Sequence, residues 1–269
     1  MRERWISQSL RAVLLLGIPT WVSVWGVSLV PFNKLPLSHF WQVMAYRAFS
    51  VAVYLVMIWA LKPGLLRRFR FHVDRKRLWV AIGVLVILVG RDVVSAPYSK
   101  FSVIDVIGAF VFTMAIGLDE EVFSRVMIFG FFEKYGVWVA AGISSLHSGA
   151  LHIGNAFWGD QSWDYTIAQV INAAAFGFLC CGLMLYTGSV WIPILLHGLS
   201  DLPMQFMTES EYVANGHAST DWVGLAIAVT LYTGIGAWLI YQSNQSNQSA
   251  RSGLERLSLR FGLISEGNR

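Results

Sequence analysis

Apolar runs alternate with short polar punctuation along most of the chain. Eight stretches reach or approach the roughly 20 residues a helix needs to cross a hydrocarbon core. They are 12–32, 40–61, 78–97, 103–133, 136–153, 165–186, 189–207 and 222–241. The pattern predicts an all-α, polytopic membrane protein of about eight transmembrane helices. The stretch 12–32 follows MRERW and resembles a signal peptide. It is too long for an apolar leader core and lacks a small-x-small cleavage site, so it is read as the first transmembrane helix. The stretch 103–133 is the least regular. Asp105 lies near its start, and Asp119, Glu120 and Glu121 interrupt it, so it reads as one long tilted helix or as two pieces. From Gln242 the chain repeats SNQ. The expected division is an integral membrane helical domain over 1–242 and a flexible cytoplasmic tail over 243–269. Within that tail, 251–264 has the pattern of a short basic amphipathic helix on the membrane surface.

Composition strengthens the membrane reading. Of 269 residues, 55% are hydrophobic and 13% charged, where soluble domains carry about a quarter charged residues. Lys and Arg (20) exceed Asp and Glu (16), but the bases sit between apolar spans, a distribution that does not suggest nucleic acid. Bases precede the first span, fill the loop 62–77 and recur in the C-terminal tail. Acids dominate the opposite loops, at Asp160, Asp164, Glu209, Glu211 and Asp221. This asymmetry predicts cytoplasmic termini, in a bacterial-type cytoplasmic membrane. Cys180 and Cys181 are adjacent in a span and read as packing residues, because neighbours in a helix do not form an ordinary disulfide.

The candidate chemistry lies inside the spans. A carboxylate in a membrane-embedded helix costs about 3 kcal/mol on insertion scales, so such groups need a partner, a cavity or a reaction. Glu121 and Arg125 are four apart on one helix face and can pair. Glu120, rotated by about 100°, is left free to face something else. Counting about 1.5 Å per residue from the helix ends puts Glu120 at roughly 20 Å, His152 at roughly 24 Å, His197 at roughly 12 Å and Asp201 at roughly 18 Å. Three helices therefore bring ionisable groups to comparable depth. Such a set can activate water for attack on an amide and stabilise the oxyanion. Asp119 is expected to meet water or a helix end. His147 is expected to pack or support, and Arg47 to neutralise an acid or snorkel.

Three segments resemble one family. EEVFSR (120–125) fits E-E-x-x-x-R, ISSLHSGALH (143–152) resembles its second motif, and YTGSVWIPILLHGLSD (186–201) resembles its third. The family is the CPBP group of intramembrane proteases, which includes CAAX prenyl endopeptidases, bacteriocin-processing and immunity proteins and abortive-infection proteins. The resemblance spans about 101–205, which would be the protease core. One position departs from it: Ser148 stands where the family carries an aromatic residue, four before the motif histidine.

The resemblance implies an eight-helix membrane peptidase open toward the cytosol, acting on a peptide or lipidated protein held at the bilayer. Glu120 and His152 would activate the water, His197 and Asp201 would assist the oxyanion or orient groups, and Glu121–Arg125 would brace the site. Glu120, His152 and His197 are the candidate ligands if zinc is present. There is no H-E-x-x-H spacing, and a glutamate-activated water needs no metal, which tips the expectation toward a metal-free mechanism. Two alternatives remain. One is a non-catalytic immunity or binding protein of the same fold. The other is a transporter with Glu120 as relay, which the absence of an internal repeat disfavours.

Overall fold

The computed structural model describes residues 38–159 and 161–260, together with Gly17 and Thr20. The first predicted span, 12–32, otherwise lies outside the described residues. The elements they form are all helical, with no strand among the described residues.

Helix α1 is His39–Leu61. A 3₁₀ turn, Pro63–Phe69, leads to α2, Arg75–Ser95. Asp74 starts α2 by accepting bonds from the backbone N–H groups of Lys76 and Arg77, at 3.0 and 3.2 Å. That occupies two of the donors every helix start leaves unpaired. Ser102 and Asp105 form a capping box at the start of α3, Val103–Glu121. A π-helical turn, Val122–Ile128, then runs into α4, Phe129–Phe132. The irregular stretch 103–133 is thus one continuous rod, about 45 Å long at 1.5 Å per residue. It closes at Gly136, whose φ of 107° disfavours any residue with a Cβ.

The chain continues through α5 (Val137–Leu151), the short α6 (Gly154–Trp158) and the long α7 (Trp163–Thr187). Helix α8, Trp191–Asp201, gives way to a 3₁₀ turn, Leu202–Phe206, where Pro203 lacks the N–H that would prolong it. After α9, Glu209–Gly216, the last helix α10 runs from Trp222 to Arg260. It continues beyond Gln242, where the apolar pattern stops and a flexible linker was expected.

Helices α1, α2, α7 and α10 are long and apolar enough to cross a membrane. Helix α5, with 15 residues, and α8, with 11, are shorter than a span on their own. The outward faces are apolar, with Val56 and Trp59 on α1, Val86 and Ile87 on α2, and Val223 and Ile227 on α10 exposed. Lipid solvates such faces and water does not. Helix α7 packs on α5 and α10, while α3 packs on α1 and α8.

The basic loop after α1 meets the ends of these helices. Lys62 Nζ donates to the Gly130 carbonyl at 2.5 Å, Arg68 to the Arg125 carbonyl at 2.6 Å, Arg70 to Gly188 at 3.1 Å and Arg77 to Tyr186 at 2.8 Å. Arg68 also pairs with Glu133 at 2.9 Å. The last carbonyls of a helix lack intrahelical partners and carry the negative end of its dipole, so cations belong there.

Helices α3 and α8 approach through Gly117 and Gly198. A Cβ on Gly117 would lie 2.8 Å from the Ile194 carbonyl and 3.1 Å from the Gly198 nitrogen. Gly117→Val is expected to push the two helices apart and cost about 1–3 kcal/mol. A thermal melt of the detergent-purified protein checks this, and an unchanged midpoint would contradict the close approach.

Candidate active site

The last turn of α3 points three adjacent carboxylates in three directions, because successive residues are rotated by about 100°. Asp119 faces α1 and does not meet water or a helix end as the sequence suggested. It is 2% exposed, and Arg47 Nη1 donates to its Oδ2 at 2.6 Å. Arg47 thereby takes the acid-neutralising role.

Glu121 points into the bundle and is fully buried. Arg125 Nε lies 2.9 Å from its Oε2, the pairing that the four-residue spacing implies. Its Oε1 accepts from His197 Nδ1 at 2.9 Å, a contact across helices that spacing alone does not reveal. The 1% exposed Arg125 side chain also donates to Ser144 Oγ at 3.1 Å, and Ser144 donates to the Ser124 carbonyl at 2.7 Å. The π turn helps here. It carries Arg125, and Arg68 bonds the Arg125 carbonyl. Gly177 on α7 makes room for the guanidinium, since a Cβ there would sit 2.8 Å from Arg125 Nη2.

Glu120 takes the third direction, toward a cavity, and its side chain is 29% exposed. Its Oε2 lies 3.7 Å from His197 Nε2, and its Oε1 lies 3.8 Å from Arg47 Nη1. Asp201 Oδ2 lies 3.6 Å from the same His197 Nε2, one turn along α8. His197 is therefore held by Glu121 on one nitrogen and approached by two carboxylates on the other. Its ring meets the edge of Phe176, with centroids 5.6 Å apart.

His152 sits just past the end of α5. Its Nδ1 is 3.1 Å from the Ser148 carbonyl. A carbonyl only accepts, so Nδ1–H donates there and Nε2 is the ring nitrogen left without this partner. His147 lies apart from this set. It packs edge-on to Phe123 and contacts Thr20 Oγ1 at 3.4 Å.

Two cavities meet at these residues. The first, of about 410 Å³, is lined among others by Glu120, His152, His197 and Asp201. The second, of about 440 Å³, lies toward Arg47 and Asn155. Glu120, Ser148, His152 and Gln169 line both. Ser148 stands at this junction in place of the expected aromatic residue, and its small side chain leaves space that a ring would fill. Arg47, Ser144, Asn155 and Gln169 are site neighbours that the motif reading did not place. Polar or charged residue types inside apolar stretches were the available signal.

Residues 102–203 match the family model of the type II CAAX prenyl endopeptidases, Rce1-like. The matched stretch contains all three motifs and agrees with the resemblance read from the sequence. It includes Glu120, His152, His197 and Asp201. No curated protein and no solved structure matches the chain. Arg47 lies outside the matched stretch.

The resemblance raised zinc as an option. Among the described residues no three His, Cys, Asp or Glu side chains are grouped to hold a metal ion. Nδ1 of His197 is taken by Glu121 and Nδ1 of His152 by a backbone carbonyl, which leaves the Nε2 of each as the nitrogen that could face a ligand. As placed, Glu120, His152 and His197 are not grouped tightly enough to hold a metal ion together, and no step below passes through a metal.

Removing one partner of a buried ion pair leaves an uncompensated charge and costs about 3–5 kcal/mol. Arg125→Leu is expected to destabilise by that amount, and the double variant Glu121→Leu with Arg125→Leu to recover part of the loss. Denaturant unfolding in detergent measures both. A double variant no more stable than the single one would show that the carboxylate is not what strands the structure.

Proposed function

We propose that the protein is an intramembrane endopeptidase that hydrolyses a peptide bond in a membrane-associated or lipidated peptide. The observation that carries this reading is the cavity where Glu120, His152, His197 and Asp201 meet below the ends of three helices. A carboxylate, an imidazole whose Nε2 is left to the cavity and a carboxylate-held imidazole around one space form the acid–base set that amide hydrolysis needs.

Glu120 is the general base. It takes a proton from a cavity water, and the His152 Nε2 lone pair accepts the water's other hydrogen as a bond. The water oxygen attacks the carbonyl carbon, and the π pair moves onto the carbonyl oxygen. The C–N bond then breaks as the nitrogen takes the proton from Glu120. One water is consumed, and a new carboxyl and a new amine result. His197 and Asp201 orient the reacting groups. Glu121 and Arg125 hold His197 in place and leave Glu120 to do the chemistry. The matched family's description points to prenylated peptides as the substrate class to try first.

Glu120→Ala and His152→Ala are each expected to abolish cleavage of a farnesylated, internally quenched peptide in proteoliposomes. Folding should be unaffected, because neither side chain is part of the buried Glu121–Arg125 pair. Full activity in either variant removes the catalytic assignment. The same assay with phenanthroline or EDTA is expected to keep its rate, and loss of activity restored by added zinc would overturn the metal-free mechanism.

A further inference from the structure

The two ends of the bundle differ in charge and in packing. Helices α1 and α7 finish at one end, and α2 and α8 start there, around the segment 62–77. Arg70 and Arg77 bond the Gly188 and Tyr186 carbonyls at this end, and Arg68 pairs with Glu133 just after α4. Ser243 Oγ donates to the Leu185 carbonyl at 2.9 Å, so α10 leaves the bundle on the same side. At the other end the Thr220 N–H donates to Asp164 Oδ2 at 2.9 Å. Tyr98 and Phe101, between α2 and α3, meet the ring of Phe206 there, each with centroids 5.0 Å apart.

The space around the motif residues reaches only this second end. The first cavity is lined by Asp92 in the last turn of α2, Tyr165 in the first turn of α7 and Leu225 in the first turn of α10. It shares Asp92, Ser200 and Met204 with a third cavity of about 710 Å³, whose walls include Ala96, Pro97 and Asn215. The second cavity extends to Gly159, in the link before α7. No residue of 62–77, 133–136 or 188–190 lines any of the three. Toward those segments the bundle is filled, with Val126, Met127, Phe129, Leu183 and Met184 at most 2% exposed. Glu120 lies near the middle of the α3–α4 rod, so the direction of the cavities, and not the depth of the acid, sets the side from which a peptide arrives.

Charge distinguishes the ends. The segment 62–77 carries seven Lys and Arg and one Asp. The links at the hollow end, 96–102, 159–162 and 202–221, carry Lys100 as their one base, against Asp160, Glu209, Glu211 and Asp221. Arg91 adds a second base in the last turns of α2. Short loops rich in Lys and Arg stay on the cytoplasmic side of a membrane.

We propose that the active-site cavity opens on the extracytoplasmic face, and that its substrate is an exported or externally exposed membrane-anchored peptide. This reverses the cytosolic opening that the family resemblance implies. The substrate half of the proposal rests on the peptidase reading, and the orientation does not. A peptide passing Asp92 and Ser200 reaches Glu120 through connected space. One arriving from the basic end has to cross the filled half of the bundle.

Cysteine labelling in a bacterial host reads the orientation. Cys180 and Cys181 are buried, which keeps the background of the parent low. Ser95→Cys and Asn215→Cys report the hollow end, and Arg67→Cys and Lys76→Cys the basic end; all four positions are exposed. With a membrane-impermeant maleimide, the first pair is expected to label in sealed spheroplasts and the second pair only after permeabilisation. Two positions at each end keep the test decisive where one variant does not fold. Labelling of a basic-end cysteine in sealed spheroplasts, or protection of both hollow-end cysteines, overturns the proposal.

The substrate side is read with the farnesylated quenched peptide, extended by a sulfonated dye so that it cannot the bilayer unaided. Sealed right-side-out vesicles are expected to cleave it, and inside-out vesicles only once detergent is added. Cleavage confined to sealed inside-out vesicles, and lost in Glu120→Ala, keeps the peptidase reading and removes this inference. Cleavage by Glu120→Ala at the parent rate removes the peptidase reading, while the labelling result still decides the orientation.

Discussion

A buried carboxylate shared between a guanidinium and an imidazole is the contact on which the site depends. Glu121 is fully buried in a helical bundle whose outer faces are apolar. Two charges are tolerated there only if geometry offsets their desolvation. Arg125 supplies one contact at 2.9 Å and His197 the other at 2.9 Å. This ties α8 to α3 at one height. It also fixes the ring of His197, so that its second nitrogen has one direction to point, toward Glu120 and Asp201. The π turn, the Ser144 hydroxyl and the missing side chain at Gly177 all serve to seat that arginine.

The same constraint recurs at the bundle's ends. Backbone carbonyls that finish a helix cannot be left bare in a poorly hydrated region. Lys62, Arg70 and Arg77 bond carbonyls near helix ends, and Arg68 reaches the Arg125 carbonyl in the π turn. A loop that orientation rules treat as a positive signal is therefore also a structural clamp. Through Arg68 it holds the segment that carries the site's own arginine.

Helical class and the polar set were legible because both rest on local rules. Apolar run length marks the long helices, and a spacing of four marks Glu121 with Arg125 and His197 with Asp201. What spacing does not encode is which neighbour a side chain meets across helices. Nothing in the sequence near Asp119 announces Arg47, 72 positions away. The Glu121–His197 bond is hidden for the same reason. The end of α8 at Asp201 was missed although Pro203 signals it, because the apolar run continues past the break. At Gln242 the opposite happened, since a polar, low-complexity stretch continues the helix that precedes it.

Two adjacent glutamates in one motif differ in what they are free to do, and burial is what separates them. Glu121 has both oxygens engaged by charged or donating partners and no exposed surface. To serve as a base it would have to release Arg125 or His197 at the moment of reaction, leaving a buried charge unpaired. Among the described residues Glu120 has no ion-pair contact shorter than 3.7 Å, and 29% of its side chain is exposed. It can accept a proton without breaking anything that holds the bundle together. The neighbouring positions thus divide by direction: the residue pointing inward ties helices together, and the one rotated away from it faces the cavity. Moving the acid by one position would merge these roles and sacrifice one of them.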